Sequence, residues 1–175
     1  MLARKSMEKD RIAEFQKMLV DQSLNIGEEV TAALQMAFKE AGQPLVALLE
    51  AKYQPKDPDE LDFKATQSST DLILVTNISE VGLVSRRSST QFVPKLTISF
   101  ELVSKRTEDA DYSEKIQYGA GAKKLTEDEI PSDPKFTFDS YEQAMANPSL
   151  VVESLKQGIQ LIVRQATPQM LKKIK

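Results

Sequence analysis

Residues 94–103 read Pro-Lys-Leu-Thr-Ile-Ser-Phe-Glu-Leu-Val, with apolar and polar side chains in alternation. A period of two residues is typical of a strand that has one face in a core and the other in water. The apolar side consists of Leu96, Ile98, Phe100 and Leu102, and the polar side consists of Thr97, Ser99 and Glu101. This stretch therefore predicts a half-buried β-strand.

Two further segments flank this strand and predict partners for it. Residues 72–83 are apolar on both parities at their start, which is typical of a central strand, and Gly82 predicts a bulge or bend within them. After a charged turn, Tyr112, Ile116 and Tyr118 share one parity and predict a third strand. Three strands so closely spaced favour an antiparallel meander.

Helical spacing of apolar residues marks three segments outside the strands. Residues 8–22 predict a short amphipathic helix. The second helix has Asn25 as its N-cap and ends at Gly42, which suits a helix C-terminus. The third opens with Pro148 at its first turn and is predicted to end at Pro168.

Three connecting segments carry weaker signals. Residues 44–53 are apolar over a short length, and we interpret them as a strand at the margin of the sheet. Residues 54–62 contain two prolines and four carboxylates and predict a solvated acidic loop. Residues 138–142 have the pattern of a capping box, which predicts a short helix with Asp139 as its N-cap.

These elements predict the fold class α+β, with an antiparallel meander sheet of three to four strands. Two main helices, those that begin at Asn25 and Pro148, are expected to cover one face of the sheet. We assign residues 1–10 to a tag or a disordered N-terminus, residues 11–168 to a single domain and residues 169–175 to a basic tail.

Composition limits the functions that the chain can have. The 175 residues include 23 Lys and Arg against 26 Asp and Glu, a net charge of −3, so nucleic acid is not an expected partner. The sequence has no His and no Cys, which excludes Ser-His-Asp and Cys-His catalysis, redox pairs and the usual zinc sites. No apolar run is long enough to span a bilayer, and no signal peptide is recognisable.

The residues that we predict to contact a partner lie on the polar side of the central alternation and in the connection after residue 85. They are Thr97, Ser99, Glu101, Arg86 and Arg87. Polar strand faces and exposed strand edges are common binding surfaces, and paired arginines bind phosphate well. No catalytic, metal-binding or cofactor-binding residue is predicted.

Two other functions remain open at this point. The carboxylates of residues 57–62 and 127–133 would allow a hydrolase or transferase that uses a divalent metal. An apolar pocket between sheet and helices would allow a small-ligand-binding module.

The order of segments resembles a group of known proteins. It runs from a capped helix through Ser-Thr-Asp-Leu-Ile-Leu-Val at residues 69–75 and Phe-Val-Pro-Lys-Leu at residues 92–96 to Tyr112 and Tyr118-Gly119. This order is similar to the soluble part of small bacterial envelope lipoproteins, of the accessory kind that serves curli secretion or activates penicillin-binding proteins. The resemblance covers residues 25–166.

This resemblance implies a periplasmic domain, tethered to the membrane through a lipidated cysteine that this sequence does not contain. It also implies a non-enzymatic role in binding other envelope proteins. Self-association is a further option for the partner, and no cofactor is expected. A cytoplasmic protein is the alternative location.

Overall fold

The computed structural model describes residues 2–43, 49, 52–68, 70–85, 90–119 and 126–174. Four helices and six strands form in these residues, together with a single 3₁₀ turn at Pro134–Phe136. The helices are α1 (Leu2–Asp21), α2 (Ile26–Glu40), α3 (Tyr141–Met145) and α4 (Pro148–Leu171). The strands are β1 (Tyr53–Gln54), β2 (Asp57–Leu61), β3 (Leu72–Ser85), β4 (Phe92–Ser104), β5 (Ala110–Tyr118) and β6 (Glu129–Ile130).

The main sheet has four strands in the order β3-β4-β5-β6. The pairs β3–β4 and β4–β5 are antiparallel, and the short pair β5–β6 is parallel. Ile98 on β4 lies between Ile78 on β3 and Ile116 on β5, which fixes the register at the centre. The predicted α+β class with a mainly antiparallel sheet is thereby confirmed.

Helix α4 packs on the sheet against β4 and β5, and α2 packs in turn against α4. The apolar parity of β4 points into this layer, as its alternation predicts, and the inward stripe of α4 meets it. The side chains that fill the layer are at most 2% exposed, among them Leu96, Ile98, Phe100, Ile116, Leu155, Ile159, Ile162 and Met170. The predicted cap of α2 also forms, because Asn25 Oδ1 accepts the Glu28 N–H at 3.3 Å.

Helix α4 does not end at Pro168, as the sequence predicted, but continues to Leu171. A proline inside a helix lacks one N–H donor, and that loss usually stops the helix. Here Met170 is completely buried, and Thr167 Oγ1 donates to Val163 O at 2.7 Å within the same turn. The burial of Met170 holds the last turn in place, so the segment assigned to a basic tail begins inside the helix.

At the other end of the chain, α1 starts at Leu2, so the residues assigned to a tag or disordered segment lie largely within a helix. The acidic segment 54–62 is likewise not all loop, since β1 and β2 pair antiparallel within it. Residues 44–48, 50 and 51 of the predicted marginal strand lie outside the described residues. Tyr53 belongs to the small β1–β2 sheet and not to the main one.

Two further expectations about local structure are wrong. Among the strands that the structure describes, β3 is at the edge of the sheet and β4 is central, because only β4 has a long pairing on both sides. The N-cap of α3 is Ser140, whose Oγ accepts the Gln143 N–H at 3.1 Å, and not Asp139.

Contact between Tyr118 and Gly158 determines how closely α4 approaches the sheet. A Cβ atom on Gly158 would lie 2.5 Å from Tyr118 Cδ1 and 2.7 Å from Tyr118 Cγ, which is too close for any side chain. One turn earlier on α4, Ser154 Oγ lies 3.0 Å from the Tyr118 hydroxyl. Burial raises the pKa of Tyr118, so the phenol stays protonated in this contact.

We expect Gly158→Ala to lower the free energy of unfolding by about 1 to 2 kcal/mol. The methyl group must displace a buried, hydrogen-bonded ring, and overpacking of this kind costs about 1 to 3 kcal/mol, against a helix-propensity gain of up to about 1 kcal/mol. Urea unfolding measures the change. The matched control is Gly27→Ala in α2, where a Cβ would make only an ordinary contact at 3.4 Å and stability should rise. Equal effects of the two variants would contradict the close-contact explanation.

Candidate protein-interaction surface

The face of the sheet turned away from α4 carries the polar parity of β4. Its central part, which we call the open face, consists of Val75, Asn77, Ser99, Glu101, Ser113 and Lys115. Four of these side chains are exposed, and Val75 and Ser99 are half-buried. The register places them in two rows across three strands, one with Ser99 at its centre and one with Glu101 at its centre. A rigid sheet therefore presents a compact polar surface.

Charges on the open face are balanced. Ser99 is directly opposite Lys115, and Glu101 is directly opposite Ser113, so Glu101 and Lys115 are diagonal neighbours on adjacent strands. Diagonal positions of an antiparallel pair are about 7 to 8 Å apart, within reach of long side chains. The face thus offers one carboxylate, one ammonium group and several hydroxyl and amide groups to a partner.

Thr97 was predicted to be on the wet side of the sheet, and its parity does place it there, but it is only 2% exposed. Glu80 on β3 is directly opposite Thr97, and its Oε2 is 2.7 Å from Lys95 Nζ. The Thr97 hydroxyl donates to the same carboxylate oxygen at 3.4 Å. The two long side chains shield the short threonine from solvent, so Thr97 belongs to the scaffold and is not available to a partner.

The other four predicted residues fall into two groups. Ser99 and Glu101 are together on the open face. Arg86 and Arg87 lie outside the described residues, in the connection between Ser85 and Phe92. Phe92 is seven residues from Ser99 along β4, about 24 Å at the usual rise of a strand.

Sequence reasoning missed the residues that reach this face from other strands. Lys95, on β4 itself, shares the parity of Thr97, so its position on this face could have been predicted from the alternation alone. Asn77 and Lys115 needed the strand register, which depends on contacts between distant segments. Glu80 needed in addition the irregularity between Ile78 and Glu80, where one extra residue shifts β3 relative to β4.

A cleft of about 370 Å³ lies between α1 and α3. It is lined by Asp10, Arg11, Glu14, Tyr141, Glu142 and Met145. The Arg11 guanidinium lies 4.6 Å from the centre of the Tyr141 ring and 3.4 Å from Glu142 Oε1. The Tyr141 hydroxyl donates to Arg11 O at 2.9 Å. These contacts hold α1 against α3, so the polar groups that line the cleft mainly bind one another.

Burial raises the pKa of Tyr141 to about 12, and the nearby Glu14 carboxylate adds to the effect. Within the residues that the structure describes, no group of three or more acidic side chains is arranged to hold a metal ion.

The geometry defines an α+β domain with a helix packed on one face of a four-stranded sheet and polar groups on the other face. Comparison with known proteins found no matching family model, no matching curated protein and no matching solved structure. Across the described residues, none of the helices combines the length and the apolar character that a bilayer crossing requires.

We expect the stability of the protein to fall as the pH rises from about 10 to about 12, and Tyr141→Phe to reduce that fall. A raised pKa means that the folded state holds the phenolic proton more tightly than the unfolded state does. Below the ordinary tyrosine pKa of 10, the stability that Tyr141 contributes is fully present. It is lost as the pH rises from 10 to the pKa of about 12 that Tyr141 has in the folded state.

Urea unfolding at several pH values in this window measures the effect. The exposed Tyr53 allows Tyr53→Phe as a matched control, which should follow the wild-type curve. If Tyr141→Phe loses as much stability as the wild type over the window, the burial of this phenol does not govern its titration.

Proposed function

We propose that this chain is a non-enzymatic protein-interaction domain and that its partner binds the open face. The observation that carries the proposal is the contrast between the two sides of one sheet. One side is filled by α4 and the core, and the other presents Ser99, Glu101 and Lys115 to solvent. Binding groups on strands are held more rigidly than groups on loops, which reduces the entropy lost on association.

The chemistry of the sequence supports binding in preference to catalysis. Without His or Cys, the chain lacks the most versatile general base and the most reactive nucleophile. Glu101 and Lys115 are exposed to solvent. Exposed polar groups of both signs are instead typical of the rim of a protein interface.

The size of the open face bears on the strength of binding. Three strands and three residues along each cover roughly 15 Å by 10 Å, or about 150 Å². A standard interface buries about 800 Å² on each partner. The open face is therefore the centre of a larger footprint, or the partner binds transiently.

We expect Glu101→Lys to weaken partner binding at least tenfold. The substitution reverses the one negative charge of the open face and places two cations at neighbouring positions, which opposes a complementary partner. The change is measured by cross-linking proteins to the immobilised wild-type domain and to the immobilised variant, and by comparing the captured amount of each protein by quantitative mass spectrometry.

The matched control is Glu127→Lys, which makes the same charge change at an exposed position outside the open face. Proteins captured by both the wild type and Glu127→Lys, and lost with Glu101→Lys, support the proposal. Equal capture by all three proteins would remove the open face as the binding surface.

The proposal includes a location, supported only by the resemblance to envelope lipoproteins. We propose a periplasmic, lipid-tethered protein whose partners are other envelope proteins. Fractionation of cells that express the full-length gene product tests this part: the protein should sediment with membranes and be labelled by a fatty-acid analogue. Recovery in the cytoplasmic fraction without label would contradict the location and leave the binding surface to be judged by the Glu101 experiment.

A metal titration separates this proposal from a carboxylate-metal enzyme. A ligand that binds only the folded state raises the melting temperature, and a concentration of one hundred times Kd adds about 2.7 kcal/mol of stability. We expect millimolar Mg²⁺ or Ca²⁺ to leave the melting temperature unchanged at constant ionic strength. A clear rise with either ion would favour the metal-dependent alternative.

A further inference from the structure

The outer edge of β3 has the geometry of a strand that can accept another strand. Among the described residues, no strand pairs with β3 on the side away from β4. Asp71 O accepts the Lys105 N–H at 2.7 Å, so Asp71 points its backbone toward β4. Ser104 is directly opposite Leu72, but its N–H donates to Asp109 O at 3.0 Å and so points away from β3. Leu72 and Ser104 therefore exchange no backbone hydrogen bond, and the N–H and C=O groups of Leu72 point away from β4.

Backbone direction alternates along an antiparallel strand, so every second residue of β3 presents its N–H and C=O groups to the outer edge. These residues are Leu72, Leu74, Thr76 and Ile78.

This part of the edge lacks the features that usually prevent pairing between proteins. Residues 72–79 read Leu-Ile-Leu-Val-Thr-Asn-Ile-Ser and contain no charge, no proline and no glycine. Natural edge strands are normally protected by charges, prolines or bulges. The first such features along β3 are the irregularity between Ile78 and Glu80 and the Glu80–Lys95 ion pair. They limit the segment that can pair to residues 72–78.

The side chains of this segment are also incompletely covered. Leu72, Leu74 and Ile78 point to the α4 side of the sheet but remain half-buried. By contrast, Leu102 and Ile98, which are directly opposite Leu74 and Ile78 on β4, are at most 2% exposed. Extension of the sheet beyond β3 would cover this apolar row and so add hydrophobic stabilisation.

We propose that a second copy of this chain pairs antiparallel with this edge, about a two-fold axis at Val75. With that centre, the outward residues meet one another, Leu72 with Ile78 and Leu74 with Thr76, and the pair of Leu74 and Thr76 can exchange both backbone hydrogen bonds. Leu72 O accepts the Thr70 hydroxyl at 2.9 Å, so it would share or exchange that bond on pairing. The same alignment sets β-branched and apolar side chains opposite each other except at Ile73, which faces Asn77, and it brings no two charges together.

Other centres of symmetry fit less well. An axis at Asn77 would pair Leu74 with Glu80 and carry the ladder across the irregularity between Ile78 and Glu80. An axis at Ile73 would draw Asp71 into the ladder and leave Ile78 without a partner within the described strand. Only the axis at Val75 uses the whole uncharged segment. This self-complementarity favours a second copy over a foreign strand, because a two-fold contact requires the same surface on both sides.

Sedimentation equilibrium of the full chain tests the proposal. We expect a monomer–dimer equilibrium, with Thr76→Lys weakening the dimer at least tenfold, because an edge lysine opposes strand addition. Thr76 is exposed in the monomer, so the variant should fold, which far-ultraviolet circular dichroism checks. The matched control is Ser85→Lys, an equal charge at an exposed position of β3 outside the pairing segment, which should leave the dimer intact. A wild-type protein that is monomeric at its highest attainable concentration would overturn the proposal.

Cysteine cross-linking tests the register independently of Thr76→Lys. The chain has no cysteine, so one introduced thiol can form a disulfide only with a second copy. Val75→Cys would face itself across the axis at about 4.5 to 5.5 Å between Cα atoms, which a disulfide can bridge. Asn77→Cys is more exposed but faces Ile73 of the second copy, so it should cross-link far more slowly. Faster oxidation to a dimer by Asn77→Cys than by Val75→Cys would overturn the axis at Val75.

Discussion

The sheet and α4 can approach closely because Gly158 has no side chain where the Tyr118 ring crosses the helix. The Tyr118 hydroxyl meets Ser154 on the same helix, so a hydrogen bond fixes the rotation of α4 as well as its distance from the sheet. The next residue in the chain, Gly119, adopts a φ of 84° and passes so near β4 that a Cβ would lie 2.1 Å from Pro94 O. β5 is thus held on both sides at its C-terminal end. Since α2 packs on α4, the position of Tyr118 sets the arrangement of all three layers.

The spacing of apolar residues and the capping residues predicted those features of the fold that depend only on neighbouring residues in the sequence. The alternation at residues 94–103, the Asn25 cap and the inward stripe of α4 all occur as expected. The sequence could not reveal that β3 is an edge strand, since apolar residues on both parities fit a strand at either position when helices and neighbouring side chains cover it. It also could not reveal that burial of Met170 outweighs the helix-breaking effect of Pro168, because that burial is a tertiary contact.

The candidate site shows the same division between local and tertiary information. Parity placed Thr97, Ser99 and Glu101 on one face, and the structure has them there. Parity could not show that Glu80 and Lys95 shield Thr97, since the opposite residue on β3 depends on where the strand gains its extra residue. The sequence suggested Gly82 for that irregularity, but Gly82 pairs regularly with Lys95 and the shift occurs before Glu80. A bulge is set by strand register, and only the paired strands reveal it.

The irregularity between Ile78 and Glu80 divides the β3–β4 ribbon into two halves with different properties. Beyond it, the Glu80–Lys95 ion pair closes the polar face over Thr97. Before it, the same face is open around Ser99 and Glu101, although Ile73 and Val103 at its far end are buried, and β3 has an uncharged edge. Val75 belongs to both features, since its side chain is on the open face and it lies at the centre of the pairing segment. Two copies joined at Val75 would therefore place their open faces side by side. The combined surface of roughly 300 Å² is twice that of one face, so dimerisation would itself enlarge the surface that a partner can bind.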